Sequence, residues 1–339
     1  MEIKKSKKNI FVLLSIIFVT FILLFNITAF SQEQIVIKLG HHHNVGGLVD
    51  LLANKFKELV EERSDNNLRI DIFPGAQLGQ EREASEGILM GTLQMTIVSS
   101  TNYDNTVNGF GIDMLPFVYD SFKDQMMVFN DSAVGEDLEK KLLEQGGRIL
   151  GWLVPGSRSM IFTDKPVKTF DDMKGLKMRS PESDLFVSMF RALGSQPTAI
   201  TWGEAYTALQ TGVAEGMESP PGMIKDMKFY EVCDYCLLTN HMWGTMNLIV
   251  NENLFQKLSE DLQTIIVEAG KEAIDYANDY AIKDQNEAIS WLEEQGMVFF
   301  KCEGEEREKF NAALLPVANN WAEKHKSTEL LNQIRNLVK

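Results

Sequence analysis

Two clusters in this sequence carry side chains of the kinds that react or bind metals. Cys233-Asp234-Tyr235-Cys236 has the spacing of a redox pair or a zinc knuckle, and Cys302 stands alone. A redox pair works where a helix N-terminus depresses one thiol pKa. Here the flanks, Phe229 to Val232 and Leu237 to Thr239, are β-formers, so a strand is expected. Residues i and i+3 of a strand point to opposite faces, which discourages a disulfide or a shared metal. The cysteines therefore read as structural thiols. His41-His42-His43 invites a metal reading, but consecutive imidazoles cannot converge on one ion without an irregular backbone, and no carboxylate follows at ligand spacing. They read as a strand-end loop, with an imidazole facing a ligand as the other role open to them. The GxSxG, HExxH, GxxxxGK[ST] and GxGxxG patterns are absent, and no pair of carboxylates stands out as an acid/base dyad. Neither a metal nor a cofactor is expected.

Charge narrows the partners. The 339 residues hold 33 Lys and Arg against 48 Asp and Glu. Residues 1–31 carry four lysines and one glutamate, and without them the net charge is −18. Such a chain is ill suited to neutralise phosphates, which argues against nucleic acid and against an anionic membrane surface. A small anion can still bind where local cations overcome the global field. The leader itself has Lys4, Lys5, Lys7 and Lys8, an apolar run from Ile10 to Phe25, and Ala29-Phe30-Ser31. That is the layout of a signal peptide cut before Gln32, and the run falls short of the roughly 20 residues that span a bilayer. An uncleaved anchor is the alternative. The expected location is periplasmic or otherwise extracytoplasmic.

The positioning elements alternate. Ile35 to Leu39 reads as a strand, residues 48–60 as an amphipathic helix, Leu68 to Phe73 as a strand, Gln80 to Met90 as a helix and Leu93 to Val98 as a strand. This β-α-β-α-β order implies a parallel sheet with its ligand site at the strands' carboxyl ends. Further strands are expected over Arg148 to Val154, Arg158 to Thr163, Gly175 to Ser180, Gln196 to Ile200, from Gly212, Tyr230 to Thr239, Thr245 to Val250 and Met297 to Lys301. Helices are expected over Asp184 to Leu193, Gly203 to Gln210 and the C-terminal stretch. From Glu260 to Glu294 there is no proline and only Gly270, so one helix of roughly 50 Å is expected, longer than a small domain is wide. It should run across two domains joined by packed elements rather than a flexible linker.

Several blocks occur in a telling order. They are Phe73-Pro74-Gly75-Ala76-Gln77-Leu78-Gly79, Gly156-Ser157-Arg158, the run Met173-Lys174-Gly175-Leu176-Lys177-Met178-Arg179-Ser180-Pro181-Glu182-Ser183, and the run from Glu204-Ala205-Tyr206-Thr207-Ala208-Leu209-Gln210 to Met217-Glu218-Ser219-Pro220. Together they resemble the solute-binding subunits of tripartite ATP-independent periplasmic (TRAP) transporters, the DctP type. The resemblance covers essentially the whole chain after the leader. It implies an α/β clamshell of the periplasmic-binding-protein kind, crossed by the long helix, that closes on a mono- or dicarboxylic acid, including sugar acids, and hands it to a membrane permease. The boundaries are placed at 32–155 plus 244–283 and 156–243 plus 284–339, and a monomer without enzymatic activity is expected. A subunit presenting ligand to a sensor kinase and a secreted enzyme are the alternatives.

The same resemblance assigns residues. Arg179 matches the arginine that grips the ligand carboxylate in this family, a task suited to a planar, always-charged guanidinium with paired N–H donors. Arg158 matches a second binding arginine. Trp202 falls where an aromatic often lies against the ligand, although core packing is equally open to it. Gln80 and Glu182 match positions that bond the ligand's distal groups in some members. Ser219 stands in place of an asparagine that contacts the carboxylate, and its shorter side chain, with a single donor, alters that contact.

Overall fold

The computed structural model describes residues 34–338, so the expected signal peptide and its cleavage before Gln32 lie outside the described residues. The first lobe of the chain alternates strand and helix: β1 (Ile35–His41), α1 (Leu48–Arg63), β2 (Leu68–Phe73), α2 (Glu81–Met90) and β3 (Met95–Ser99). Two helices follow, α3 (Phe122–Phe129) and α4 (Ala133–Glu144), capped by the hydroxyls of Ser121 and Ser132. Then come β4 (Gly147–Leu153), β5 (Arg158–Phe162), β6 (Lys177–Ser180), α5 (Asp184–Ala192), β7 (Gln196–Ala199), α6 (Ala205–Gln210), β8 (Gly216–Ser219) and α7 (Pro221–Asp226). The remainder is β9 (Tyr235–Met242), β10 (Met246–Asn251), the short α8 (Glu252–Phe255), α9 (Glu260–Glu294), β11 (Val298–Lys301), α10 (Gly304–Lys324) and α11 (Thr328–Leu337).

The strands form two sheets. One has the order β2-β1-β3-β10-β4, the other β11-β9-β5-β8-β6-β7. In the first, β1 and β3 are parallel, as the β-α-β order predicts. The sheet is nevertheless mixed: β10 inserts antiparallel between β3 and β4, far from either in sequence. In the second, β6 is parallel to β7 and β8, while β5 is antiparallel to β8 and β9. The expected strand over residues 230–239 begins only at Tyr235. Lys228 sits at a left-handed φ of 58°, and Phe229–Glu231 closes a 3-10 turn, so those β-forming residues serve a reversal instead. Cys233 consequently lies before the strand and Cys236 on it. Both are buried free thiols, and burial raises their pKa, which leaves them unreactive.

The 35-residue α9 is one uninterrupted helix. It packs on α1 and on β4 of the first sheet along one part and, along another, on α7, which follows β8 of the second sheet. Its approach to β4 is close enough to require glycine at two places. A Cβ on Gly151 would lie 2.8 Å from Ile274, and one on Gly270 would lie 2.7 Å from Leu150. The chain crosses between sheets beside this helix. Asn278 accepts from the Val154 N–H at 2.8 Å and donates to the Trp152 carbonyl at 3.1 Å, while Gln285 accepts from the Ser157 N–H at 3.2 Å. The crossing 154–157 is therefore strapped to α9 by the side-chain amides of buried Asn278 and half-buried Gln285.

Candidate functional site

Most of the strand ends of the two sheets converge on one cleft. From the first sheet come His43, just past β1; Ser99, which ends β3; Thr101; and Met246, which begins β10. Glu81, the first residue of α2, lies beside them. From the second sheet come Arg158 at the start of β5, Arg179 on β6, Pro181, Phe186 and Trp202. The space between these side chains, counted out to its open mouth, is about 480 Å³. Its position at the carboxyl ends of β1, β3 and β6 follows the rule for sheets of this kind.

Two arginines face this space in different electrical states. Arg158 is held by Glu218: Glu218 lies opposite Met160 in the β5–β8 ladder, so Arg158, two residues earlier, is its diagonal neighbour on the same face. The Arg158 Nε donates to Glu218 Oε2, and Nη2 donates to Oε1 at 3.0 Å. The Glu218 side chain is fully buried, so the pair is shielded from water. Its two charges cancel. Arg158 also lies over the Phe186 ring at 5.8 Å. Behind the pair, His241 bonds Thr239 Oγ1 at 2.7 Å through Nδ1. Burial and the nearby Arg158 charge lower its pKa to about 3, which keeps it neutral.

Arg179 has no such partner. It is 2% exposed, its Nε donates to the Ile200 carbonyl at 2.9 Å, and its guanidinium lies 5.5 Å over the Trp202 ring. Among the described residues no carboxylate forms an ion pair with it. Burial lowers its pKa to about 10, opposed by the charges of Glu218 and Glu81, so it remains a cation at neutral pH. A buried guanidinium without an ion-pair partner, lining a cleft, is chemically able to receive an anion.

Two rings of the lining are neutral. His43 packs against Trp202 with ring centroids 5.3 Å apart, and burial holds its pKa well below the usual imidazole value. Trp202 itself belongs to the core, edge-on to Phe229 at 5.4 Å, and also lines the cleft. Its indole N–H is buried without an acceptor.

Of the six residues singled out in the sequence, Arg179, Arg158 and Trp202 line the cleft. Gln80 and Glu182 line an adjoining space that shares Arg179, Pro181 and Trp202 with it. Gln80 is the N-cap of α2, in a capping box in which its own N–H donates to Glu83 Oε2 at 2.9 Å, and Glu182 is exposed at the rim. Ser219 ends β8 opposite Ser159, fully buried, with its Oγ unpaired and outside the cleft's lining. Sequence reasoning missed Glu81, Glu218 and His43 as individual site residues. Glu81 adjoins Gln80, Glu218 adjoins Ser219, and His43 lay in the histidine run, so each stood beside a residue already under consideration. Among the described residues, no group of acidic, His and Cys side chains is arranged to hold a metal.

Residues 39–325 match the model of the bacterial extracellular solute-binding proteins, family 7, the DctP family. The chain belongs to this family. A solute-binding protein of Roseobacter denitrificans is 31% identical over 277 residues, covering 81% of this chain and 84% of its own. The C4-dicarboxylate-binding periplasmic protein of Rhodobacter capsulatus is 30% identical, covering 86% and 88%. Among solved structures, a TRAP periplasmic solute-binding protein of a Sulfitobacter species with bound β-D-galacturonate superimposes with a TM-score of 0.84 at 26% identity, covering 89% of this chain and 99% of that one. The two-sheet clamshell with its long helix is the fold of these TRAP solute-binding proteins. Members of the family bind solutes rather than transform them, and this chain is a binding protein, not an enzyme.

Proposed function

We propose that the protein captures an organic acid in the cleft between its two sheets, with Arg179 as the carboxylate clamp, and delivers it to a membrane permease. The observation that carries this reading is the buried Arg179 guanidinium, the one cation of the cleft without a balancing carboxylate among the described residues. Burying it free of a partner costs stability, a cost offset when an anion arrives. Arg158, already neutralised by Glu218, contributes fixed N–H dipoles and orientation rather than net charge. Trp202 supplies an apolar wall against which a carbon skeleton lies. Relatives and neighbours that bind a dicarboxylate or a hexuronate support an acid as ligand.

The two sheets are taken as the cores of two lobes, up to residue 155 with 244–283, and 156–243 with 284–339. Ligand holds the lobes together, shifting an open–closed equilibrium across the crossings strapped to α9. Release to the permease then requires reopening. The family and the lysine-rich leader support an exported, extracytoplasmic protein, which is taken to act as a monomer. Calorimetry over a panel of organic acids, paired with solution scattering, tests the reading. One acid class is expected to bind at one site per chain and to reduce the radius of gyration. An unchanged scattering profile at saturating acid removes closure, and binding of neutral sugars in preference to acids removes the anion clamp.

A further inference from the structure

We propose that Asp226 is a latch between the two lobes: it caps the head of α1 only when the cleft is shut, and so sets how long a captured acid is held without touching it. The inference rests on the reading that the lobes close, and it names a contact outside the cleft that closing makes. α1 follows β1 of the first sheet and α7 follows β8 of the second, and the head of α1 meets the tail of α7. The Leu48 N–H donates to Asp226 Oδ2 at 2.8 Å, and Asn44 Nδ2 donates to the Asp226 carbonyl at 3.1 Å. Each lobe thus satisfies a backbone group that the other's helix end leaves without an intrahelical partner. A carboxylate at the head of α1 is also favoured by the helix dipole.

α1 does not cap itself. Its N-cap is Gly47, and the acid of its first turn, Asp50, is engaged by the Gly46 N–H at 2.9 Å and by His41 Nε2 at 3.2 Å. Gly47 has ordinary dihedral angles, φ −83° and ψ 176°, so its backbone does not require glycine. The approach of α7 does: a Cβ there would lie 2.7 Å from Asp226 Oδ2. A serine or aspartate at this position would cap the helix from within its own lobe; glycine instead leaves room for the other lobe. α7 is pressed as closely on α9, where Lys225 pairs with Asp284 and a Cβ on Gly222 would lie 2.5 Å from Asp284 Oδ2. The same short helix brings Met223 into the cleft, and His43 lines the cleft one residue before Asn44. Cleft and latch therefore share two walls and open together. Burial raises the Asp226 pKa, opposed by the Leu48 N–H and the Lys225 charge. Desolvation thus offsets part of what the hydrogen bond contributes, as suits a contact that must break on release.

The test sets release kinetics beside stability without acid. D-galacturonate, D-galactonate, D-gluconate and succinate are titrated against the purified protein, and the tightest of them is carried into stopped-flow binding. Asp226→Ala should speed its release by at least about threefold and up to roughly 30-fold, the worth of an N-cap at 1.4 kcal/mol per tenfold, with association changed by less than about twofold. Gly47→Ala, whose methyl group collides with Asp226 only in the shut form, should act alike. Asp226→Asn, which keeps an acceptor for the Leu48 N–H, should recover part of the loss. Without acid, none of the three should move the melting temperature by more than about 1 °C, because the contact is not made there. Release changed by less than threefold in Asp226→Ala, or a lower melting temperature without acid, makes the contact an ordinary helix cap and overturns the latch alone. A wild type that binds none of the four acids, or binds without contracting in solution scattering, removes the capture-and-closure reading and the latch with it.

Discussion

Glu218→Gln isolates the buried ion pair on which the second sheet's contribution to the cleft is built. The Glu218 side chain has no solvent exposure and that of Arg158 only 10%, so neither charge can be rescued by water. Removing one partner of such a pair typically costs about 3–5 kcal/mol, because the survivor is left charged in a poorly solvated place. Glutamine preserves the volume and one acceptor for the Arg158 N–H groups, which puts the expected loss near the lower end, about 3 kcal/mol. At roughly 2–4 °C per kcal/mol for a chain of this size, the melting temperature falls by about 6–12 °C. Thermal unfolding followed by circular dichroism, without ligand, reads this directly. Replacing both residues with apolar side chains of similar volume, Arg158→Met with Glu218→Leu, should recover most of the loss, since no lone charge then remains. A drop under 2 °C for Glu218→Gln, or a double variant less stable than the single one, would refute the claim that the pair neutralises itself inside the protein.

Other perturbations have equally definite signs. Asp104 accepts from Ser183 Oγ at 3.1 Å, and burial pushes its carboxyl up to about 6, opposed by that hydrogen bond. The folded state therefore holds this proton more tightly than the unfolded chain, and the group's contribution to stability, full below about pH 4, is lost as pH rises through 6. Asp104→Asn should thus be more stable than wild type at pH 7.5, by up to about 3 kcal/mol, and lose that advantage at pH 4; paired denaturant titrations at the two pH values measure it. Asn278→Leu strips partners from the Val154 N–H and the Trp152 carbonyl at the crossing beside α9. The Val154 N–H is then stranded while the Trp152 carbonyl keeps only the 3.4 Å donation from Asn130 Nδ2, a loss of about 1–3 kcal/mol visible as a lowered denaturation midpoint.

Legibility in the sequence followed the range of the interactions. Helix α9 was readable to its ends, Glu260 and Glu294, because an unbroken 3.6-residue pattern without proline is a local property. β2 was readable from its alternation and the Pro74-Gly75 stop. The antiparallel insertion of β10 beside β3 was not, since nothing local tells a strand which distant neighbour it will join. Phe229 to Glu231 misled because their β-preference yields to a turn fixed by the left-handed Lys228. In the site, Arg179 stood out because one residue type suits its task. The charge balance around it did not, because Glu218 and Glu81 lie 39 positions after and 98 before it and meet it only through the fold. The unpaired Ser219 hydroxyl has no partner in sequence or structure that explains it.

Titration of Arg179 variants with a bound acid is the most direct measurement. In the closed cleft the ligand carboxylate loses its water, and truncating one partner of a buried hydrogen-bonded pair costs about 2–5 kcal/mol. Calorimetry should therefore show Arg179→Ala weakened by roughly 30- to 5,000-fold, at 1.4 kcal/mol per tenfold. Arg179→Lys should recover only part of this, keeping the charge but not the two-pronged geometry. If a folded Arg179→Ala protein binds the acid within threefold of wild type, the carboxylate is held elsewhere and the assignment of this cleft is wrong.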